Sequence, residues 1–337
     1  MRRRIVFLLL AAAFLFTLGG FVFATGQSEK ASTGSTKPEY TFYFVSHGGP
    51  GDPYWQSFIN GVNDSAKELG VKIVYIYPQR QGDVGELIKQ LNTAIAAKPD
   101  GIGVTIDNVE GFSSPLLEAQ KLGIPVIAFD TVPDPDNPDY SKTPYFCYVG
   151  EDSFSAGQEV GRGGLSAFNL RSGDRVVVAD HEAGNTSLTL RINGIKDILQ
   201  PKGVTVDVLS TPGDDPAQSQ SIIQNYIAKN PSVKAVFTMG PLSYGPAGKV
   251  LEANNLVGKI GLAGWDIDQA AIDMIRNGEM AFTANEQPYY IATTAAYLLY
   301  MNVKYHFDPP PVFNTGLGRV NKSNIESWAA LVKAGKG

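Results

Sequence analysis

Cysteine occurs once in this chain of 337 residues, at Cys147, so no disulfide can form within it. A chain of this length is expected to rest on its hydrophobic core instead. Histidine occurs three times, at His47, His181 and His306, with none of the close spacings that bind zinc. No metal and no cofactor is therefore expected. Positive charge is in deficit, with 28 Lys and Arg against 33 Asp and Glu and a net charge of −5. Without a basic field to neutralise phosphates, a nucleic-acid partner is not expected. The glycine-rich turn from His47 to Gly51 is neither a Walker A loop nor GxGxxG, which leaves nucleotide phosphate binding unsupported. Beyond residue 24 no apolar run is long enough to cross a bilayer. The remaining composition, 43% hydrophobic and 18% charged, is that of an ordinary globular protein.

The N-terminus departs from that average. Arg2, Arg3 and Arg4 precede an apolar run from Ile5 to Phe16, and Val22-Phe23-Ala24 offers small residues at a cleavage site before Thr25. This is the plan of a secretory signal over residues 1–24, with export to a periplasmic or extracellular location. A retained membrane anchor is the competing reading, because Ile5 to Ala24 nearly spans a bilayer. Residues 25–38 are small, polar and aperiodic, as in a flexible spacer.

From Glu39 onward the chain repeats itself once. Phe58-Ile59-Asn60-Gly61-Val62 returns as Arg191-Ile192-Asn193-Gly194-Ile195, and Gly70-Val71 as Gly203-Val204. Gly82-Asp83 has its counterpart in Gly213-Asp214, and Leu117-Glu118-Ala119 in Leu251-Glu252-Ala253. Each repeat alternates short β-branched runs with helical periodicity. Thr41 to Val45, Lys72 to Ile76, Gly101 to Ile106 and Pro125 to Phe129 read as buried parallel strands. Arg175 to Ala179, Val204 to Leu209, Ala235 to Met239 and Ile260 to Ala263 repeat them. Pro53 to Leu69 reads as a helix, with Asp52 as N-cap and Pro53 in its first turn. The expected fold class is therefore α/β, two Rossmann-like lobes with parallel sheets.

Ligands of open parallel sheets bind beyond the carboxyl ends of the strands, and two facing lobes bring both such edges to one cleft. That places Asp52, Asp130, Thr131, Asp214, Asp215, Gly240 and Asp266 among the binding candidates, with His47, Asp107, His181 and Asn185 in a second rank. Tyr54 and Trp55 offer aromatic faces to the C–H face of a sugar ring, or serve as core of the first helix. Asp130 and Asp266 close equivalent strands, where a carboxylate can accept from vicinal hydroxyls or cap the next segment. Arg191 replaces the apolar Phe58 of the first repeat, and a buried guanidinium needs a ligand or a carboxylate. No nucleophile paired with a base can be picked out, so binding rather than catalysis is expected. Asp134, Asp136, Asn137 and Asp139 are interrupted by prolines and read as a solvated loop rather than a calcium site.

Several of these elements, in order from residue 40 to about 325, resemble the type I periplasmic sugar-binding proteins of the ribose- and galactose-binding kind. They are Asp52-Pro53-Tyr54-Trp55, Pro125-Val126-Ile127 up to Asp130, Val149-Gly150-Glu151-Asp152, Arg191 before Ile192-Asn193-Gly194, Gly264-Trp265-Asp266, and Glu286-Gln287-Pro288-Tyr289. The resemblance implies a three-segment hinge, with one lobe of 39–150 plus 287–312 and another of 151–286 plus 313–337. It also implies a monomer that captures a monosaccharide or similar polyol by lobe closure and delivers it to the membrane permease of an ABC importer. Arg191, Glu286 and Gln287 join the binding candidates on this ground. Three positions depart from the ribose pattern: Thr131 for an arginine, Gly240-Pro241 for Asn-Asp, and Glu286 for a glutamine. The surplus of carboxylates over Arg191 predicts a neutral or cationic ligand rather than a sugar acid or phosphate. A LacI-type regulator shares the core but needs a basic helix-turn-helix ahead of it, where this chain has the signal and spacer. A ligand-presenting sensor on the same fold and a secreted enzyme also compete with the carrier reading.

Overall fold

A computed structural model describes residues 38–337; the expected signal segment and all but the last residue of the spacer lie outside the described residues. The chain opens with β1 (Thr41–Val45), α1 (Pro53–Leu69), β2 (Lys72–Ile76), α2 (Val84–Ala96), β3 (Gly101–Val104), α3 (Val109–Lys121), β4 (Val126–Phe129) and β5 (Cys147–Gly150). The alternation then recurs as α4 (Ser153–Ala167), β6 (Arg175–Asp180), α5 (Thr186–Leu199), β7 (Thr205–Ser210), α6 (Pro216–Lys229) and β8 (Val233–Thr238). It continues through α7 (Pro241–Ala253), β9 (Gly261–Trp265), α8 (Gln269–Asn277) and β10 (Phe282–Asn285). Last come α9 (Pro288–Tyr305), β11 (Val312–Asn314), β12 (Gly318–Asn321) and α10 (Ile325–Lys333).

Two six-stranded sheets result, in the orders β2-β1-β3-β4-β5-β11 and β7-β6-β8-β9-β10-β12. The first is parallel throughout; in the second only β12 runs antiparallel, against β10. The shared strand order is the sequence repeat made visible. Strands β3, β4 and β5 are buried along their whole length, as expected when helices cover both faces. In the first lobe Phe42, Phe44, Phe58 and Phe129 pack under α1 and α9, while Leu87, Leu91 and Phe112 fill the opposite face.

The chain passes between lobes at residues 151–152, 286–287 and 315–317. The boundary expected between residues 312 and 313 is corrected here. Val312, Phe313 and Asn314 pair with Tyr148, Val149 and Gly150, so the first sheet keeps β11 as its edge strand. Helix α10 packs on the second lobe against α8 and β12, and the last residues reach across to the first. Ser57 Oγ donates to the Gly337 carbonyl at 2.5 Å, and Asn60 Nδ2 to that of Gly335 at 2.9 Å.

Helices α4 and α5 meet almost backbone to backbone. A Cβ on Gly194 would lie 2.7 Å from the Gln158 nitrogen, and one on Gly157 would lie 2.9 Å from the Arg191 Cα. Only glycine permits this approach, which seats Arg191 at the hinge. Gly194→Ala is expected to cost about 1–3 kcal/mol in urea unfolding, as overpacking does. Gly245→Ala, in α7, meets nothing within 4 Å and is expected to be neutral or slightly stabilising. Equal effects at the two positions would contradict the close crossing.

Candidate functional site

The carboxyl ends of the two sheets face each other across one narrow site. Its wall is formed from the first lobe by His47, Asp52, Tyr54, Trp55, Gln81, Asp130 and Thr131, from the second by His181, Glu182, Asn185, Ser187, Leu188 and Arg191, and at the hinge by Glu286. The space left between them is about 30 Å³. The lobes stand closed, joined by hydrogen bonds across the cleft.

Local structure sets each side chain. Asp52 caps α1, accepting from the Tyr54 backbone N–H at 3.0 Å with Oδ1 and from Gln81 Nε2 at 3.2 Å with Oδ2. The cap turns the next two residues inward: Tyr54 donates its hydroxyl to Asp130 Oδ1 at 2.5 Å, and Trp55 stands edge-on to His47. Both aromatics are buried members of the first lobe's core. Asn185 caps α5 as Asp52 caps α1, accepting from the Leu188 N–H. Asp130 and Asp266 both hold left-handed backbone, with φ of 63° and 67°, a conformation that Asp tolerates better than most residues and that recurs at functional sites.

Arg191 is spent within the protein. Its Nε bonds Glu151 Oε1 at 2.6 Å, its terminal nitrogen bonds Glu286 Oε1, and its guanidinium lies 5.1 Å from the centre of the Trp265 ring. All three ionic groups are buried. The resemblance offered Arg191 to the ligand; here the cleft carboxylates claim it first.

Six expected residues lie off the wall of this site. Asp107 stands behind His47, bonding its Nδ1 at 3.1 Å. Gly240 is packed so closely that a Cβ would come within 2.9 Å of His181 Cε1 and 3.3 Å of Asp266 Oδ2, which leaves no room there for the asparagine of the ribose pattern. Asp266 thus sits one layer back. Gln287 ties two hinge crossings, donating through Nε2 to the Thr315 carbonyl at 3.1 Å. Asp214 and Asp215 are both exposed; Asp215 caps α6 by accepting from the Gln218 N–H. Asp214 lines two depressions beside Gln81, off the wall described above.

Gln81, Ser187 and Leu188 were missed. Gln81 could have been found, since it precedes Gly82-Asp83, one half of a repeat pair. Ser187 and Leu188 hold the positions of Tyr54 and Trp55 in the second repeat. Glu182, on the loop that follows β6 and so among the post-strand positions, crosses the cleft, accepting from Gln81 at 3.2 Å and lying 4.0 Å from His47 Nε2. Donor atoms of His47, Asp107 and Glu182 lie within 4.8 Å of one another, a grouping that separations of 60 and 75 residues along the chain conceal. A larger crevice, about 610 Å³, lies beside the hinge among Tyr145, Tyr148, Phe154, Leu190 and Val312. It is mainly aromatic and aliphatic, whereas the polar groups converge on the smaller site.

Residues 42–305 match the model of the periplasmic binding protein domain. The chain belongs to the periplasmic binding protein family. Among its relatives it is 27% identical to the xylose/arabinose-binding protein of Sulfolobus acidocaldarius, over 86% of this chain and 73% of that one. It is 24% identical to the D-allose-binding periplasmic protein of Escherichia coli, over 74% and 80%. A solved periplasmic sugar-binding protein from Legionella pneumophila superposes with a TM-score of 0.77 at 29% identity, covering 82% of this chain and 99% of that one.

Burial governs the charges of this periplasmic binding protein. It raises the Asp52 carboxyl to about 6, against the opposing bonds from Tyr54 and Gln81. It raises Glu182 to about 7, partly offset by His47. Burial alone would lower His47, but Glu182, Asp107 and Asp130 together hold its pKa up at about 10. His181 is pushed down to about 3 by burial, with Arg191 and His47 adding to the effect. Glu286 and Asp266 are raised well above the carboxylate range by burial, despite Arg191.

For Asp52, Glu182 and His47 the folded pKa exceeds the unfolded one, so the folded state keeps protons that the unfolded chain releases. Their contribution is full below the unfolded values and is lost as pH rises through the folded ones. The ligand-free protein is therefore expected to melt progressively lower between about pH 5 and 9; a flat or rising profile would contradict this reading. Arg191→Met leaves Glu151 and Glu286 as an uncompensated pair, and is expected to cost about 3–5 kcal/mol at pH 7. The loss should shrink as pH falls and the glutamates take up protons. A loss independent of pH in urea unfolding would show that packing, not charge, is at stake.

Proposed function

We propose that this chain is an exported solute-binding protein that captures a monosaccharide or related polyol by lobe closure and hands it to the permease of an ABC importer. The observation that carries the reading is the convergence of carboxylates, amides and aromatic faces at the carboxyl ends of both sheets, closed over by hydrogen bonds between the lobes. Thr186 Oγ1 donates to the Asp107 carbonyl at 2.7 Å, and Ser187 Oγ lies 3.3 Å from Thr131 Oγ1. These few bonds are weak singly, so a ligand that touches both lobes adds what the closed state needs. Sugar hydroxyls suit Asp52, Asp130 and Asn185, and the ring face suits Trp55. The relatives named for xylose, arabinose and allose support a sugar as cargo. Their periplasmic naming, with the signal read at residues 1–24, supports export; a monomer acting as carrier, without turnover, completes the reading.

A thermal-shift screen over pentoses, hexoses and polyols tests it. A ligand at a hundred times its Kd stabilises the native state by about 2.7 kcal/mol, which should raise Tm by several degrees. Asp130→Asn is expected to weaken binding at least tenfold in calorimetry while leaving the protein folded. No shift with any sugar, or conversion of a sugar to product, would overturn the proposal.

A further inference from the structure

The ionic partners within the site do not balance, and the imbalance bears on what the cargo carries. The two cations at the site wall both already face carboxylates. Arg191 is shared between Glu151 and Glu286, and His47 sits among Asp107, Asp130 and Glu182. Asp52 receives only neutral donors, the Tyr54 N–H and the Gln81 amide. Asp130 is bonded by the hydroxyls of Tyr54 and Thr131, with His47 Nε2 beyond hydrogen-bond distance at 3.8 Å. Among the described residues four carboxylate oxygens lack a hydrogen-bond partner: Glu286 Oε2 at the wall, and Glu151 Oε2, Asp266 Oδ1 and Asp107 Oδ2 behind it. Each belongs to a residue at most 5% exposed. Buried carboxylates in such excess hold protons of their own unless a cation replaces them. The raised pKa values of Glu286 and Asp266 agree with this.

We propose that the cargo is an amino-bearing sugar or aminopolyol, whose protonated amine lodges against Glu286, with Asp130 and Asp266 adding to the negative field. The inference rests on the sugar-capture reading and narrows it. An ammonium offers three donors as a compact point charge, and so satisfies oxygens that the single guanidinium leaves bare. The remaining hydroxyls fall to Asp52, Gln81 and Asn185. Glu286 is the residue on which selectivity turns, because it faces the space between the lobes with one oxygen on Arg191 and the other free. The glutamine of the ribose pattern would fill the same volume without the charge.

Calorimetry at pH 7.5 with matched pairs tests the proposal: glucosamine, galactosamine and mannosamine against glucose, galactose and mannose, and 2-deoxystreptamine against myo-inositol. At least one amine is expected to bind ten times or more tighter than its neutral parent. Glu286→Gln, checked for folding by circular dichroism, should cut that preference at least tenfold. Arg191 keeps Glu151 as partner in this variant, and a variant that nevertheless fails to fold leaves the wild-type comparison decisive. A neutral parent that binds as tightly as its amine, or better, overturns the inference while leaving sugar capture intact. Failure of every sugar and polyol, charged or neutral, overturns the sugar reading and this inference with it.

Discussion

One buried ionic knot organises the molecule. Glu151 follows β5 at the first crossing between lobes, Glu286 follows β10 at the second, and Arg191 reaches both from α5. Such a knot contributes little net stability compared with apolar packing, because the desolvation of three charges nearly cancels their attraction. Its value is geometric. Two hinge strands are held to one helix at fixed separation, and that helix is held to α4 through the glycine crossing of Gly157 and Gly194. The Trp265 ring under the guanidinium completes the seat. The position of the second lobe's binding groups relative to the hinge follows from this arrangement.

Closure and hinge are therefore made of different material. The hinge is ionic, buried and over-determined. The closing face is a thin set of hydroxyl and amide bonds from Gln81, Thr186 and Ser187, with Glu182 reaching towards His47. A clamp built this way can part its lobes without disturbing its pivot, since the bonds that must break are few and become solvated on opening. Left-handed Gln287, with φ of 66°, sits at the second crossing and stands where helix α9 begins. The backbone change on opening has a natural place there.

Much of this was legible in the chain. Strands β1 to β4 and β6 to β9 appear in the sequence to within a few positions, because β-branched runs bounded by turn residues have few other stable forms. Asp52 and Pro53 announce the start of α1, and the repeat announces two lobes. What eluded sequence reasoning depends on distance in the fold rather than along it. The Glu182 contact to His47, the capture of Arg191 by Glu151 and Glu286, and the exposure of Asp214 and Asp215 are settled by loop paths that no local pattern encodes. The edge strand β11 was missed for a related reason. Three residues carry too short an alternation to declare which sheet they join, and only pairing with β5 decides it.

The equivalent caps at Asp52 and Asn185 have a consequence beyond their helices. A duplicated fold begins as two identical jaws related by an approximate dyad, and a dyad cannot tell one end of a ligand from the other. Handedness and orientation have to be written where the copies diverge. Here Tyr54-Trp55 faces Ser187-Leu188, a carboxylate cap faces an amide cap, and Phe58 of one copy is Arg191 in the other. One jaw became flat and aromatic while the other became small and polar, so a molecule held between them has a single way round. In this clamp, broken symmetry is the grammar of recognition.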